Sequence, residues 1–123
     1  MRFHQGRLLD HVHLRVRDLE ASKAFYRAVL EAVGSGLTME GDGFFSADEL
    51  FVSDDGEPTA RLHVAFQAAD RERVDAFHAA ALAAGAQDNG GPGMRPQYHP
   101  HYYGAFVLDP DGNNAEAVCH TPQ

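Results

Sequence analysis

From Leu9 to Val16 apolar and polar residues alternate, with Val12, Leu14 and Val16 on one face and His11, His13 and Arg15 on the other. A period of two predicts a half-buried strand. After Asp18 the period lengthens: Ala21, Phe25, Ala28, Val29 and Ala32 make the buried stripe of a helix that Asp18 caps and Gly34 ends. The same succession returns downstream. Val64 and Phe66 predict the inward face of a second strand, with His63, Ala65 and Gln67 turned away. Asp70 then caps a second helix whose stripe is Phe77, Ala80, Ala81 and Ala84, before Gly85. Short β-prone pieces broken by glycine follow each helix, at 37–39, 44–45 and 50–52 and again at 102–108 and 115–119. Asp109-Pro110-Asp111-Gly112 is a turn joining the last two pieces, and residues 89–96 form a loop without periodicity.

The two halves are one pattern used twice. HVHLRVRDLEASKAFYRAVLEAV from His11 and HVAFQAADRERVDAFHAAALAAG from His63 start 52 residues apart. They share His11/His63, Val12/Val64, Asp18/Asp70, Glu20/Glu72, Phe25/Phe77 and Leu30/Leu82. A solenoid needs at least about three repeats, so two copies predict a pseudo-symmetric pair of modules sharing one core. The fold class is therefore α+β, with two βαβββ modules. One domain is expected over residues 8–120, module one at about 8–57 and module two at about 60–120, joined at 54–58.

Composition narrows the function. At 123 residues the chain can bury a core without disulfides, and Cys119, the one cysteine, has no intramolecular partner and is expected to be an inert core residue. That fits a reducing, cytoplasmic setting. The start, MRFHQGRLLDH, lacks the apolar run of a secretory signal, and no stretch reads as a membrane span. A formal net charge of −8 argues against a nucleic-acid partner, which would need clustered Lys and Arg. A small molecule is the expected partner.

If both helices cover one face of the sheet, the strand faces that carry His11 and His63 point the other way, onto a concave surface. Glu116 shares a face with Val118 in a segment with buried surroundings. A carboxylate there calls for a partner, and a metal ion is one. His11, His63 and Glu116 thus form a candidate site for a divalent metal: two imidazoles and a carboxylate suit zinc, nickel, cobalt, manganese or iron, with positions left for substrate. His13 points the same way as His11 and is a rival ligand. Tyr98, His99, His101, Tyr102 and Tyr103 crowd the mouth of the last hairpin, where they form either a substrate rim or ordinary aromatic packing.

The stretches DHVHLRVRDLEASKAFY, HVAF and AFVLDPDGNNAEAV resemble the vicinal oxygen chelate superfamily, which includes glyoxalase I, extradiol dioxygenases and the bleomycin resistance proteins. The resemblance covers nearly the whole chain. It implies paired βαβββ modules cupped around a divalent metal, usually in a homodimer, with His11, His63 and Glu116 at the ligand positions. Arg15 matches a glyoxalase I arginine that contacts the glutathione carboxylate. Segment 95–100, from Arg95 through Tyr98 and His99, resembles short bacterial members, making Arg95, Tyr98, His99, Tyr102 and Tyr103 substrate-contact candidates beside Arg15. For a fourth, first-module ligand only Glu49 is near, and either Glu49 or Phe51 faces the cavity. The leading expectation is a lyase or isomerase of glyoxalase type: the metal binds vicinal oxygens and stabilises an enediolate while Glu116 or Glu49 takes the proton. The alternatives are an extradiol-type iron dioxygenase and a non-catalytic protein that sequesters an antibiotic or metabolite.

Overall fold

The computed structural model describes residues 8–122; residues 1–7, part of the stretch read for a secretory signal, lie outside them. Strand β1 (Val12–Arg15) leads into helix α1 (Leu19–Ala32) and then β2 (Met39–Gly41), β3 (Phe44–Ala47) and β4 (Leu50–Ser53). The second half repeats this with β5 (His63–Gln67), α2 (Arg71–Ala83), β6 (Gln87–Asp88), β7 (Gly93–Met94), β8 (Tyr103–Leu108) and β9 (Asn114–Cys119). The sheet orders are β1-β4-β3-β2 and β5-β9-β8-β6, with β7 also on β8. In each sheet the first strand runs parallel to the last and the hairpins are antiparallel. This is the α+β arrangement of two βαβββ modules.

Local chemistry accounts for the elements. The Asp18 carboxylate accepts from the Ala21 amide and that of Asp70 from the Arg73 amide, each cap contributing about 0.5–2 kcal/mol. Past the helix ends Gly34 and Gly85 take left-handed φ values of 90° and 91°, where a side chain would be strained. The loop at 89–96 holds β7 and follows directly on β6. A run of glycine and proline there cannot sustain one continuous ladder, so β8 is paired by two short pieces.

The α1 stripe sits differently from the alternation of small residues. Ser22, Phe25, Tyr26, Val29 and Leu30 are buried while Ala21 is exposed. The helix is packed against α2, Tyr26 meets Phe45 of its own sheet at 6.4 Å between ring centroids, and Tyr26 sinks fully so that its hydroxyl donates to Asp109 Oδ2 at 2.6 Å. Burial, then the Asp109 charge, pushes the Tyr26 ionisation far up. The Asp109 turn is thus more than a hairpin: it clamps the modules together. Asp111 accepts from the Arg17 amide at 3.2 Å, and the Asn113 side chain takes the Leu62 amide at 2.9 Å and donates to the Thr59 carbonyl. Residues of both modules form one hydrophobic core.

The modules meet through this core and the helix pair rather than through their sheets. Strands β1 and β5 each end their own sheet, and the two sheets are not hydrogen-bonded to each other. Within a single chain His11 and His63 therefore adjoin different sheets. Among the described residues no helix is long and apolar enough to cross a membrane.

Candidate functional site

Along β9, Ala115, Ala117 and Cys119 sink into the core under α2, which turns Asn114, Glu116 and Val118 to the opposite face. Glu116 stands there in register with Phe106 of β8 and Ala65 of β5. Its residue is 0% exposed, yet its carboxylate ends beside an accessible group. Oε1 lies 2.7 Å from Nε2 of His63, whose side chain is 54% exposed. Oε2 accepts from the Tyr102 hydroxyl. Burial first, and then the bond and charge of Glu116, push the Tyr102 ionisation far above the ordinary tyrosine value. Next to this pair the Arg95 guanidinium lies 5.4 Å over the Phe106 ring and gives Nη2 to the Gly91 carbonyl.

Around Tyr102 the crowded aromatic segment closes a collar. Tyr98, His99 and His120 meet its ring edge-on at 4.8, 5.4 and 5.3 Å between centroids. His99 Nε2 and His120 Nδ1 are 2.6 Å apart, and the His101 amide donates to His99 Nδ1. Tyr103 leaves the group: it turns to the helix side, where its hydroxyl donates to Asp75 and Arg71 covers its ring. That bond raises the Tyr103 ionisation.

The remaining candidates lie on the first sheet. His11 is exposed and its Nδ1 is 2.8 Å from Asp10. His13 Nε2 is 2.7 Å from Ser53 Oγ, and its ring stands edge-on to Phe51, which stacks on Phe44. Ser53 donates to Asp55 at 2.5 Å, and Arg15 Nε reaches both the Asp55 carbonyl and its carboxylate. The Ser53 bond, with help from Arg15 and His13, holds Asp55 below the usual carboxylate range. Glu49 sits exposed in the two-residue β3–β4 turn, beside Asp48 with its left-handed φ of 49°.

Strand register settles which residue answers to Glu116 in the first module. Ala65 pairs with Glu116, the repeat equivalent of Ala65 is His13, and His13 pairs with Phe51. Phe51 therefore occupies the counterpart position, while Glu49 precedes β4 on the same face. Among the described residues no three His, Cys, Asp or Glu side chains gather in a group able to hold a metal within one chain. His63 and Glu116 come together; His11, His13 and Glu49 do not join them. The bond from Tyr102 to Glu116 was not anticipated. A glycine inside a strand, Gly104, was its signal in the sequence, since such a residue marks a close approach.

Comparison with known proteins agrees with the architecture. The sequence profile of the Glyoxalase/Bleomycin resistance protein/Dioxygenase superfamily matches residues 8–117. A search of curated proteins finds no significant match. Among solved structures, a glyoxalase/bleomycin resistance protein from Albidiferax ferrireducens T118 superposes with a TM-score of 0.77 at 32% identity, covering 91% of this chain and 98% of that one. A glyoxalase/bleomycin resistance protein/dioxygenase family enzyme from Burkholderia phytofirmans PsJN gives 0.69 at 22%, over 91% and 98% of the two chains. Lactoylglutathione lyase from Agrobacterium tumefaciens gives 0.65 at 22%, over 94% and 96%. The last two speak for the fold alone. With the profile spanning nearly every described residue and a relative matched almost end to end, the chain belongs to the glyoxalase/bleomycin resistance protein/dioxygenase superfamily.

Proposed function

We propose that this chain is a metal-dependent enzyme of glyoxalase type, acting on a small molecule with vicinal oxygens. The observation that carries the reading is the Glu116 carboxylate, 0% exposed, with one oxygen 2.7 Å from a ring nitrogen of accessible His63. So deep a charge is costly unless partnered, and an imidazole nitrogen beside a carboxylate oxygen is a donor pair suited to zinc, nickel, cobalt, manganese or iron. His11 completes the set when it comes from a second copy of the chain, because within one chain it lies on the other sheet. The reading therefore includes a homodimer, and the single cysteine suits a cytoplasmic setting. A bound metal supplies a Lewis acid that polarises a carbonyl and offsets charge developing on the substrate oxygens. Glu116 and Glu49 are the two carboxylates expected to take the proton, and of these Glu116 is the one that stands beside His63. Arg95, Tyr98 and His99 line the approach to the pair.

Elemental analysis of protein purified without a histidine tag tests the reading. About one divalent metal per chain is expected, lost in His63→Ala and in His11→Ala while both remain folded. Full occupancy in both variants would sink it. One observation favours a second reading. With Phe51 in the position that answers to Glu116, two histidines and one carboxylate remain, the donor set of a ferrous facial triad. Iron-dependent oxygen uptake would move the assignment to an extradiol-type dioxygenase, and tight ligand binding indifferent to chelator would move it to a sequestering protein.

A further inference from the structure

We propose that Tyr102 is the positioning residue of the Glu116 carboxylate and that Gly104 makes the room it needs, so that Glu116 meets its ligand through Oε1 alone. The inference deepens the metal-centre reading and rests on Glu116 as the ligand-holding carboxylate. A glutamate carboxylate turns easily about its last bond and can present one oxygen or both. Here the Tyr102 hydroxyl donates to Oε2, leaving Oε1 beside His63. The phenol is not a loose arm. Its residue is bound at both backbone groups, the carbonyl accepting from Arg95 at 2.7 Å and the amide donating to His99 at 3.2 Å, and three rings hold its edges.

Gly104 shows that this contact is built in. A Cβ there would lie 3.1 Å from Glu116 Oε2 and 3.1 Å from the Tyr102 ring, a tight approach to which the carboxylate or the phenol would have to yield by a few tenths of an ångström. Its φ is not in the left-handed region, so the backbone makes no demand for glycine; space does. A carboxylate held by one oxygen takes one ligand position where a two-oxygen carboxylate takes two. More positions then stay open for substrate oxygens, as chelation of a vicinal pair requires.

Infrared spectra and zinc competition on Tyr102→Phe and Gly104→Ala test this, with Tyr103→Phe as the control because it removes a tyrosine–carboxylate bond on the opposite face of the strand. The Glu116 carboxylate band is assigned by its loss in Glu116→Gln, and thermal unfolding checks that each variant is folded. In metal-free protein the band is expected to move in Tyr102→Phe and Gly104→Ala and to stay in Tyr103→Phe. With zinc, Tyr102→Phe should weaken affinity roughly 10–100-fold, and the gap between antisymmetric and symmetric stretches should narrow toward two-oxygen binding. A Glu116 band unmoved in both folded, metal-free variants overturns the proposal, as does zinc binding in which neither affinity nor gap changes. If wild type takes up no zinc while the metal-free band still moves in Tyr102→Phe, the metal-centre reading falls and the positioning role stands.

Discussion

Replacing Tyr26 by phenylalanine removes a single oxygen from the bond that locks the two modules. Tyr26 is 0% exposed and Asp109 5%, and the hydroxyl reaches Oδ2 at 2.6 Å, so water does not replace the lost donor. A hydrogen bond to a charged group contributes about 1.5–3 kcal/mol. The lower part of that range applies. Oδ1 keeps the Asp111 and Asn113 amides, and Oδ2 keeps a long contact of 3.5 Å from the Asn113 side chain. The ring still meets Phe25, Phe45 and Phe66, so little packing is lost. The expected loss is about 1.5–2 kcal/mol, which for a chain of this size lowers Tm by about 5–10 °C. Urea unfolding followed by circular dichroism measures it. A cycle with Asp109→Asn should show coupling of about 1 kcal/mol or more, because the two side chains share one bond. A loss under about 0.5 kcal/mol, or strict additivity in the cycle, would refute the clamp.

Three further outcomes are expected. In alkaline titration followed by phenolate absorbance, Tyr26, Tyr102 and Tyr103 should ionise later than free tyrosine; because their folded values are raised, the stability they contribute is complete below about pH 10 and declines above it. Absorbance rising identically in native and urea-unfolded protein would contradict this. Mixing His11→Ala with Glu116→Ala chains should restore metal at roughly one site in four, since each mixed dimer regains one of its two sites; no recovery, or a monomer in sedimentation, argues against a shared site. Arg15→Gln should change stability by less than about 1 kcal/mol, because its Asp55 pairing is largely exposed. If it also weakens carboxylate ligands but not neutral ones, Arg15 serves as an anion anchor; equal loss for both would mark a structural role.

The alternation about His11 and His63 and the two aspartate caps were enough to place both strand–helix units, because period and capping are local properties. What escaped was non-local. The α1 stripe was misjudged by weight of alanines, since only the packing of α2 and the reach to Asp109 explain why Tyr26 and Leu30 are inside. Which of Glu49 and Phe51 is the repeat counterpart of Glu116 could not be read from spacing, because both share a face; that correspondence lies in the register of β1 on β4, which pairs His13 with Phe51. Nor could the pattern show that the two histidines lie on separate sheets, since that depends on whether modules join by helices or by strand edges. The Tyr98–Tyr103 cluster read as either rim or packing, and it divides: Tyr103 goes to the helix side while Tyr98 and His99 collect around Tyr102.

The bond from the His101 amide to His99 Nδ1 has a chemical consequence at the edge of the molecule. A neutral imidazole with an accepting Nδ1 must carry its proton on Nε2, so His99 gives that proton to Nδ1 of His120, and His120 in turn carries its own on its outer nitrogen. Each ring lone pair of the couple is thereby occupied. In the neutral state neither ring of the couple offers a bare imidazole nitrogen, so reagents that seek one should acylate His99 and His120 more slowly than an exposed histidine outside the couple.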